Sequence, residues 1–534
     1  MTTDPMRLRL AAAALAATFA TAALAWLPAT AGAQTVLRLD ESPAGELDPA
    51  KASDYADSML MFNVYDSLVI PAQGAPGMQP HLAESWTVDG DVYTFTLHEG
   101  VDFHSGNPLT AADVAWSYDR MMALGQGMSY LFADRVESVT AADDRTVVIT
   151  LSGPYGPFLS SLVRLPIVDS VLAAENVTDD DPWAESFLTG QDAGSGAYTV
   201  ASHNPEGETV MQKFAGYFLG VPDAAPDEVR LRYGMEAATV RTMIARGEHD
   251  ISSQWLPPEV MAALAGEGAQ LLTETGTGGF YMKMNTTKPP LDDVNCRLAL
   301  AAAIDYDTMV KMTQVTDAVA QGQPATGAIP VGMLGSAPDA PPFARDMEAA
   351  KAHLAACQYN PDDYTLELSW IAEVPLEERF ALLAQSNFAE LGFNTEIIRM
   401  PWVLFSESVT DPEQTPHFSQ LFNAAMTGDP DTLFWGMYHS GATGTWQAAS
   451  YLNDPEVDAA LEAGRSATDP AEREAAYQAL NARLMAVAPT ITGYDRVSVF
   501  AASNRVRVSA LTDPAKAFAL DGFGFNFRLM EMVE

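Results

Sequence analysis

Residues 278–305 read GGFYMKMNTTKPPLDDVNCRLALAAAID, and the fold turns on how that stretch divides. The aromatic and long apolar side chains from Phe280 to Asn285, bounded upstream by Gly278-Gly279, predict a strand. Lys288-Pro289-Pro290 ends regular structure there, because neither proline can donate a backbone hydrogen bond. Asp292 or Asp293 is placed to cap a helix that carries Leu298, Ala302 and Ala303 or Ile304 on one face. A strand thus leaves one body of the chain and a helix opens another. A chain of 534 residues is long enough to divide in this way.

The same stretch resembles the family-5 extracytoplasmic solute-binding proteins of ABC importers, which include peptide, nickel and opine binders. Asn285-Thr286, Lys288 to Val294, and Arg297-Leu298-Ala299-Leu300 through Ile304-Asp305 stand where that family has N-T, K-P-P-F-D-D-V and R-x-A-L-x-x-A-I-D. Leu47-Asp48-Pro49-Ala50 and the helix-spaced Leu60, Val64 and Leu68 match its opening, with Asn63, Tyr65, Asp66 and Leu68 in its N-x-Y-[DE]-x-L. The longest match begins at Pro80: LAESW, then YTFTLHEGVDFHSG, then PLTAADV. Gly194 to Tyr198, Glu236 to Asp250, Glu348 to Tyr359, and the closing Asn453 to Asp458 with Asp469 to Arg473 and Tyr477 extend it over nearly the whole chain after the leader.

The resemblance implies an α/β fold: a two-lobed periplasmic binding protein (type II, cluster C-like) with hinge crossings and an extra subdomain in lobe one. Lobe one would take residues 34–280, with the inserted subdomain at about 70–190, lobe two 281–490, and 491–534 would return to lobe one. The second crossing would be Ile491 to Phe500.

Composition narrows the function. Lys and Arg number 29 against 70 Asp and Glu, a net charge of −41. Nucleic acid needs a basic face, so it is excluded as a partner, and attachment to anionic lipid is disfavoured. Arg7 and Arg9, an Ala/Leu-rich run from Leu10 to Leu27, and Ala31-Gly32-Ala33 before Gln34 form a secretory signal, cleaved after Ala33. No cysteine follows the run, so no lipid anchors the chain there. The mature protein is expected to be a free periplasmic monomer.

Local readings support this frame. Trp86-Thr87-Val88 and the alternating Tyr93, Phe95 and Leu97 predict a hairpin turning at Asp89-Gly90, and Thr110 caps a helix carrying Val114, Trp116 and Tyr118. Thr365 to Trp370, Glu377 to Leu391 and Asn394 to Arg399 predict a parallel strand–helix–strand unit, with Trp402 in a loop at its end. His98 and His104 flank a turn without a third ligand, and zinc needs three or four, so no metal is expected.

No catalytic residue or cofactor is expected, since no serine or cysteine carries a triad motif. A secreted hydrolase and an interaction scaffold are the rivals to a binder. The expected partners are a peptide or other small solute, with an oligosaccharide, opine or metal chelate as alternatives, and an inner-membrane ABC permease. Candidate ligand-binding residues are Lys283, Trp402, Asn423, Met426, Asp429, Trp435, Trp446 and Tyr494, with Tyr438 as a further aromatic. Peptide-binding members of the family hold the peptide amino terminus with an aspartate three positions before an Asp/Glu-Pro pair. Here that pair is Asp429-Pro430 and the position is Met426, so a free amino group is not expected to dominate binding. Cys296 and Cys357, the sole cysteines, fall on helices that pack together in family members and are expected to form a disulfide.

Overall fold

Two long strands, Gln270–Met284 and Thr490–Ala502, pair antiparallel from Gln270 opposite Ala502 to Lys283 opposite Thr490. In this computed structural model, which describes residues 34–42 and 46–533, they join both lobes. The leader expected at 1–33 lies outside the described residues. The first strand runs through Gly278-Gly279 instead of starting after them. A Cβ on Gly278 would stand 1.9 Å from the Asn423 carbonyl oxygen, so the glycine admits a neighbouring strand and does not stop its own.

At one end of this pair, Ile251 bridges Leu39 and Ala502. That links the crossing strands to a sheet ordered Val36–Glu41, Glu228–Tyr233, Glu208–Lys213, Tyr198–His203. Its core gathers Leu37, Leu39, Leu231 and Met211 with Phe500, Phe525 and Phe527. A second core surrounds a four-stranded antiparallel sheet, Ala83–Asp89, Val92–Leu97, Thr146–Leu151 and Val136–Ala141, packed by the helix Ala111–Leu124. That helix starts at a capping box in which the Thr110 N–H donates to the Asp113 carboxylate at 2.8 Å. The hairpin connection is Gly90-Asp91, one residue later than expected: Asp89 still pairs with Val92, and Gly90 takes the positive φ of 60°. His104 is held by Asp192 at 2.6 Å and by the Gly196 carbonyl at 2.9 Å, an entirely internal role.

At the other end the crossing strands sit inside a six-stranded sheet with Phe418–Ala424, Thr365–Ile371 and Asn394–Met400 on one side and Gly322–Gln323 on the other. Thr365–Ile371 and Asn394–Met400 pair in parallel around the helix Pro375–Ala389, as expected. Both sheet faces are covered. Phe280, Met282 and Met284 pack with Leu300 and Phe380, while Tyr281 on the alternate face packs with Leu433 and Tyr477.

The helix Val294–Ala303 is capped by Asp293, which accepts the Asn295 N–H at 2.8 Å. Its buried face is Cys296, Ala299, Leu300 and Ala303; Leu298 and Ala302 are half-buried, so the face is turned from the expected one. It lies against Met347–Ala356, and Cys296 is bonded to Cys357 with the Cα atoms 5.1 Å apart. Closing a sequence separation of 61 contributes about 4 kcal/mol in the chain-entropy account.

Candidate functional site

The ladder between the crossing strands is regular to Thr275 opposite Val497 and resumes at Gly279 opposite Asp495. Gly276, Thr277 and Gly278 therefore face Arg496 alone, a bulge at the junction of the lobes. The Thr277 N–H donates to Asp521 at 2.9 Å, and its carbonyl accepts the Ala425 N–H at 3.0 Å. The bulge thus ties the closing segment of lobe one to the loop after Phe418–Ala424.

Three buried carboxylates gather here. Glu274 accepts the Gly522 N–H at 3.2 Å and the Tyr55 hydroxyl at 3.3 Å. Glu41 accepts the Ser42 N–H at 2.9 Å and the Ser253 hydroxyl at 3.3 Å through one oxygen. Asp521 uses one oxygen on Thr277. Glu41 Oε2 and Asp521 Oδ2 are buried without a partner among the described residues. Arg496 is the cation nearest in effect to all three, but its guanidinium lies 4.6 Å from the Trp255 ring centre and donates to the side-chain amide oxygen of Gln254. Burial outweighs that attraction, pushing Glu41 up to about 7 and Glu274 up to about 8, and raising Asp521.

A pocket opens beside these acids between Gln254 and Pro258 of lobe one and Val374 and Arg379 of lobe two, with Arg496, Tyr494 and Phe422 as its back wall. Arg379 pairs with Glu259 across its mouth at 2.5 Å. Gln254 Nε2, the Tyr494 hydroxyl and both amide atoms of Asn423 are buried without partners among the described residues. Buried polar groups in folded proteins are almost always satisfied. Several such atoms gather around this one junction.

The residues singled out by sequence fall into three groups. Asn423 and Tyr494 join the junction: Asn423 stands opposite Gly279, and the Tyr494 ring lies 6.2 Å from Phe422. Lys283, Trp446 and Trp402 meet inside and at the edge of lobe two. Lys283 is fully buried, not displayed at the interface as expected; its ammonium donates to the Gln447 carbonyl and lies 6.0 Å from the Trp446 ring centre. Burial without a carboxylate partner lowers its pKa well below the usual lysine value. Trp402 does not lie in a loop; it opens the helix Trp402–Ser408, 39% exposed, with its ring 5.2 Å from Trp446. Pro401 takes the cap position, where its missing N–H costs nothing.

The third group forms a rim between the lobes. Met426 packs against the inserted subdomain's core, and its carbonyl accepts Arg164 Nε at 2.5 Å. Asp429 is occupied: it caps Pro430–Tyr438 and pairs with Arg473 at 2.9 Å. Trp435 carries the Arg465 guanidinium 3.2 Å from its ring centre and stacks on His439 at 3.6 Å. Tyr438 is buried in lobe two. The sequence reading missed Glu41, Glu274, Asp521, Arg496 and Gln254. Glu274 and Arg496 did carry a signal, as charged residues inside the crossing strands at the glycine-rich bulge; Glu41 and Asp521 carried none.

Residues 77–445 match the profile of the bacterial extracellular solute-binding proteins, family 5 (middle region), and the chain belongs to that family. It is 28% identical over 450 residues to the probable D,D-dipeptide-binding periplasmic protein DdpA of Escherichia coli K12, covering 81% of this chain and 83% of that protein. Heme-binding protein A of Haemophilus influenzae is 26% identical over 500 residues, with 87% and 85% covered. The periplasmic binding protein DppA of Helicobacter pylori, solved with the peptide STSA, superposes with a TM-score of 0.78 at 22% identity, over 94% of this chain and 99% of that one. That likeness establishes the two-lobed fold.

Proposed function

We propose that the protein is the periplasmic solute-binding component of an ABC importer, trapping a peptide or peptide-like small solute between its lobes for an inner-membrane permease. The observation that carries this reading is the set of unpaired buried polar atoms at the lobe junction, on Glu41, Gln254, Asn423, Tyr494 and Asp521. Donors and acceptors on both lobes suit the amide groups of a peptide, and Trp255 and Phe422 supply apolar walls. The peptide assignment is supported by the relatives named for dipeptides.

On this reading the protein binds without turnover, leaves the cell interior by its signal segment, is cleaved after Ala33, and works as a monomer. The lobes divide near residues 280 and 490, where the crossing strands pass between cores. Asn423 and Tyr494 touch the solute directly. Trp402 and Trp446 form an outer wall over Lys283, and Met426, Asp429 and Trp435 shape the rim. A panel of peptides, oligosaccharides, opines and nickel complexes tests this by scattering and thermal melting. A true ligand shrinks the radius of gyration and raises Tm by linkage. A panel that moves neither, or that is chemically converted, overturns it.

A further inference from the structure

The inserted subdomain gives no side chain to the pocket between the lobes, yet it reaches across to lobe two. The contact is built around Trp435. The Arg465 guanidinium lies 3.2 Å from the centre of that ring and the His439 ring 3.6 Å from it, so the two take opposite faces. Asp431 holds Arg465 through two bonds and neutralises it. A second cation can therefore approach the same indole. Arg135 of the subdomain does so, with its guanidinium 5.8 Å from the Trp435 ring centre and 5.9 Å from that of Tyr155. Tyr155 is fixed beneath it, buried and sharing a hydrogen bond with the Ser161 hydroxyl at 3.3 Å.

The backbone closes the same contact. The Gly156 N–H donates to the Arg465 carbonyl at 2.8 Å. A Cβ on Gly156 would stand 2.3 Å from the Ala467 carbonyl oxygen and 2.8 Å from Arg473 Nε, so nothing larger than glycine fits while the two surfaces touch. Nearer the crossing strands the buried Arg164 adds a fastening, donating to the Met426 carbonyl at 2.5 Å. The ion pair of Arg379 with Glu259 also joins the lobes, but its side chains are 45% and 57% exposed, and such pairs contribute little. The subdomain therefore makes the stronger of these links.

We propose that the inserted subdomain is a latch: Arg135, Tyr155 and Gly156 grip Trp435 and Arg465 and set how much of the protein stands with its lobes together. Every group in the latch belongs to the chain itself, so it acts whatever solute the cleft takes, and it goes beyond the solute-binding reading above. A solute that needs the lobes together binds in proportion to the fraction already so arranged. Residues of the subdomain that touch no solute thus tune affinity while leaving the choice of solute to the cleft.

Scattering and hydrogen exchange on the mature full chain, freed of solute by unfolding and refolding, test the latch. Arg135→Ala removes the bridging cation. Gly156→Ala wedges the contact apart, and because Gly156 lies outside the left-handed region the alanine adds no backbone strain. Each variant should raise the radius of gyration, and Arg135→Ala should speed amide exchange in the segment around Gly156 at least fivefold. Arg135→Lys, which keeps a cation without the planar guanidinium, should fall between wild type and Arg135→Ala. Exchange along Val92–Leu97, in the subdomain's own core, reports folding and should stay as it is. If one variant speeds it, the others carry the test. An unchanged radius with unchanged exchange around Gly156 overturns the latch and leaves the solute-binding reading standing. A solute panel without effect on a protein whose latch variants open overturns solute binding and leaves the latch.

Discussion

Acidic side chains meet the two lobes in opposite ways. On the lobe-two side, three buried or half-buried aspartates each have an arginine of their own. Asp431 takes Arg465 through two bonds of 2.8 and 2.9 Å, Asp429 takes Arg473 at 2.9 Å, and Asp454 takes Arg483 at 2.7 Å. Asp429 and Asp454 also cap helices, so charge and backbone donors are satisfied together. At the junction, Glu41, Glu274 and Asp521 have no ion-pair partner of their own, and Glu41 and Asp521 each leave an oxygen without a partner among the described residues. The first arrangement is complete within the chain, as a structural element must be. The second leaves acceptors open at the junction of the lobes, where the proposed solute would lie.

The comparison can be broken at its strongest point by Asp431→Ala. Removing one partner of a buried pair strands the Arg465 guanidinium against Trp435 and should cost about 3–5 kcal/mol in urea unfolding. A loss under about 1 kcal/mol would mean that the lobe-two pairs are no more than surface decoration.

The next largest effect is the pH dependence of the ligand-free protein. Glu41 and Glu274 have folded pKa values raised to about 7 and about 8, above the unfolded value near 4.5. Between about pH 5 and pH 7 the folded state holds protons that the unfolded state has released. Stability therefore falls as pH rises, by about 1.4 kcal/mol per pH unit for each retained proton. Glu274→Gln removes one such proton and should flatten the slope of melting against pH. An unchanged slope would mean that Glu274 is ionised and already paired.

Asp429→Ala sharpens the comparison by removing a helix cap and an ion pair at once. It should cost about 1–2 kcal/mol in urea unfolding. A large loss of affinity with intact stability would return Asp429 to the ligand. The smallest effect expected is that of Trp402→Ala. Loss of its contact with Trp446 should cost about 0.5–1.5 kcal/mol, read as a modest shift in the urea midpoint.

Much of the scaffold was legible because its signals are local. The alternation at Tyr93, Phe95 and Leu97, the Thr110–Asp113 capping box and the Asp293 cap each act within a few residues, and the crossing near 280 is punctuated by prolines. Local signals misled where tertiary contact decided. Gly278-Gly279 looked like a strand boundary but is a close approach, and Pro401 looked like a loop but caps a helix. The site was legible only in part. Aromatic residues were taken as its walls, yet Trp435 and Tyr438 serve the rim and the core. Its charged groups come from Glu41, Glu274 and the Arg496–Asp521 segment, each more than two hundred residues from the next, in a sequence with 70 carboxylates.

The topology of the crossing strands also sets the order in which the two cores can form. Lobe two's core, from Phe280 to Tyr494, is drawn from one continuous run of chain. Lobe one's core needs Leu37 and Leu39 from one end and Phe500, Phe525 and Met530 from the other. Closing contacts so distant along the chain is slow, and collapse of the run between them shortens the loop that lobe one has to close. During refolding, the near-ultraviolet signal of the Phe280, Phe380 and Tyr494 cluster should therefore mature while the strand Val36–Glu41 is still open to hydrogen exchange. The carboxylates of the junction, which draw on both halves, come together in the last step.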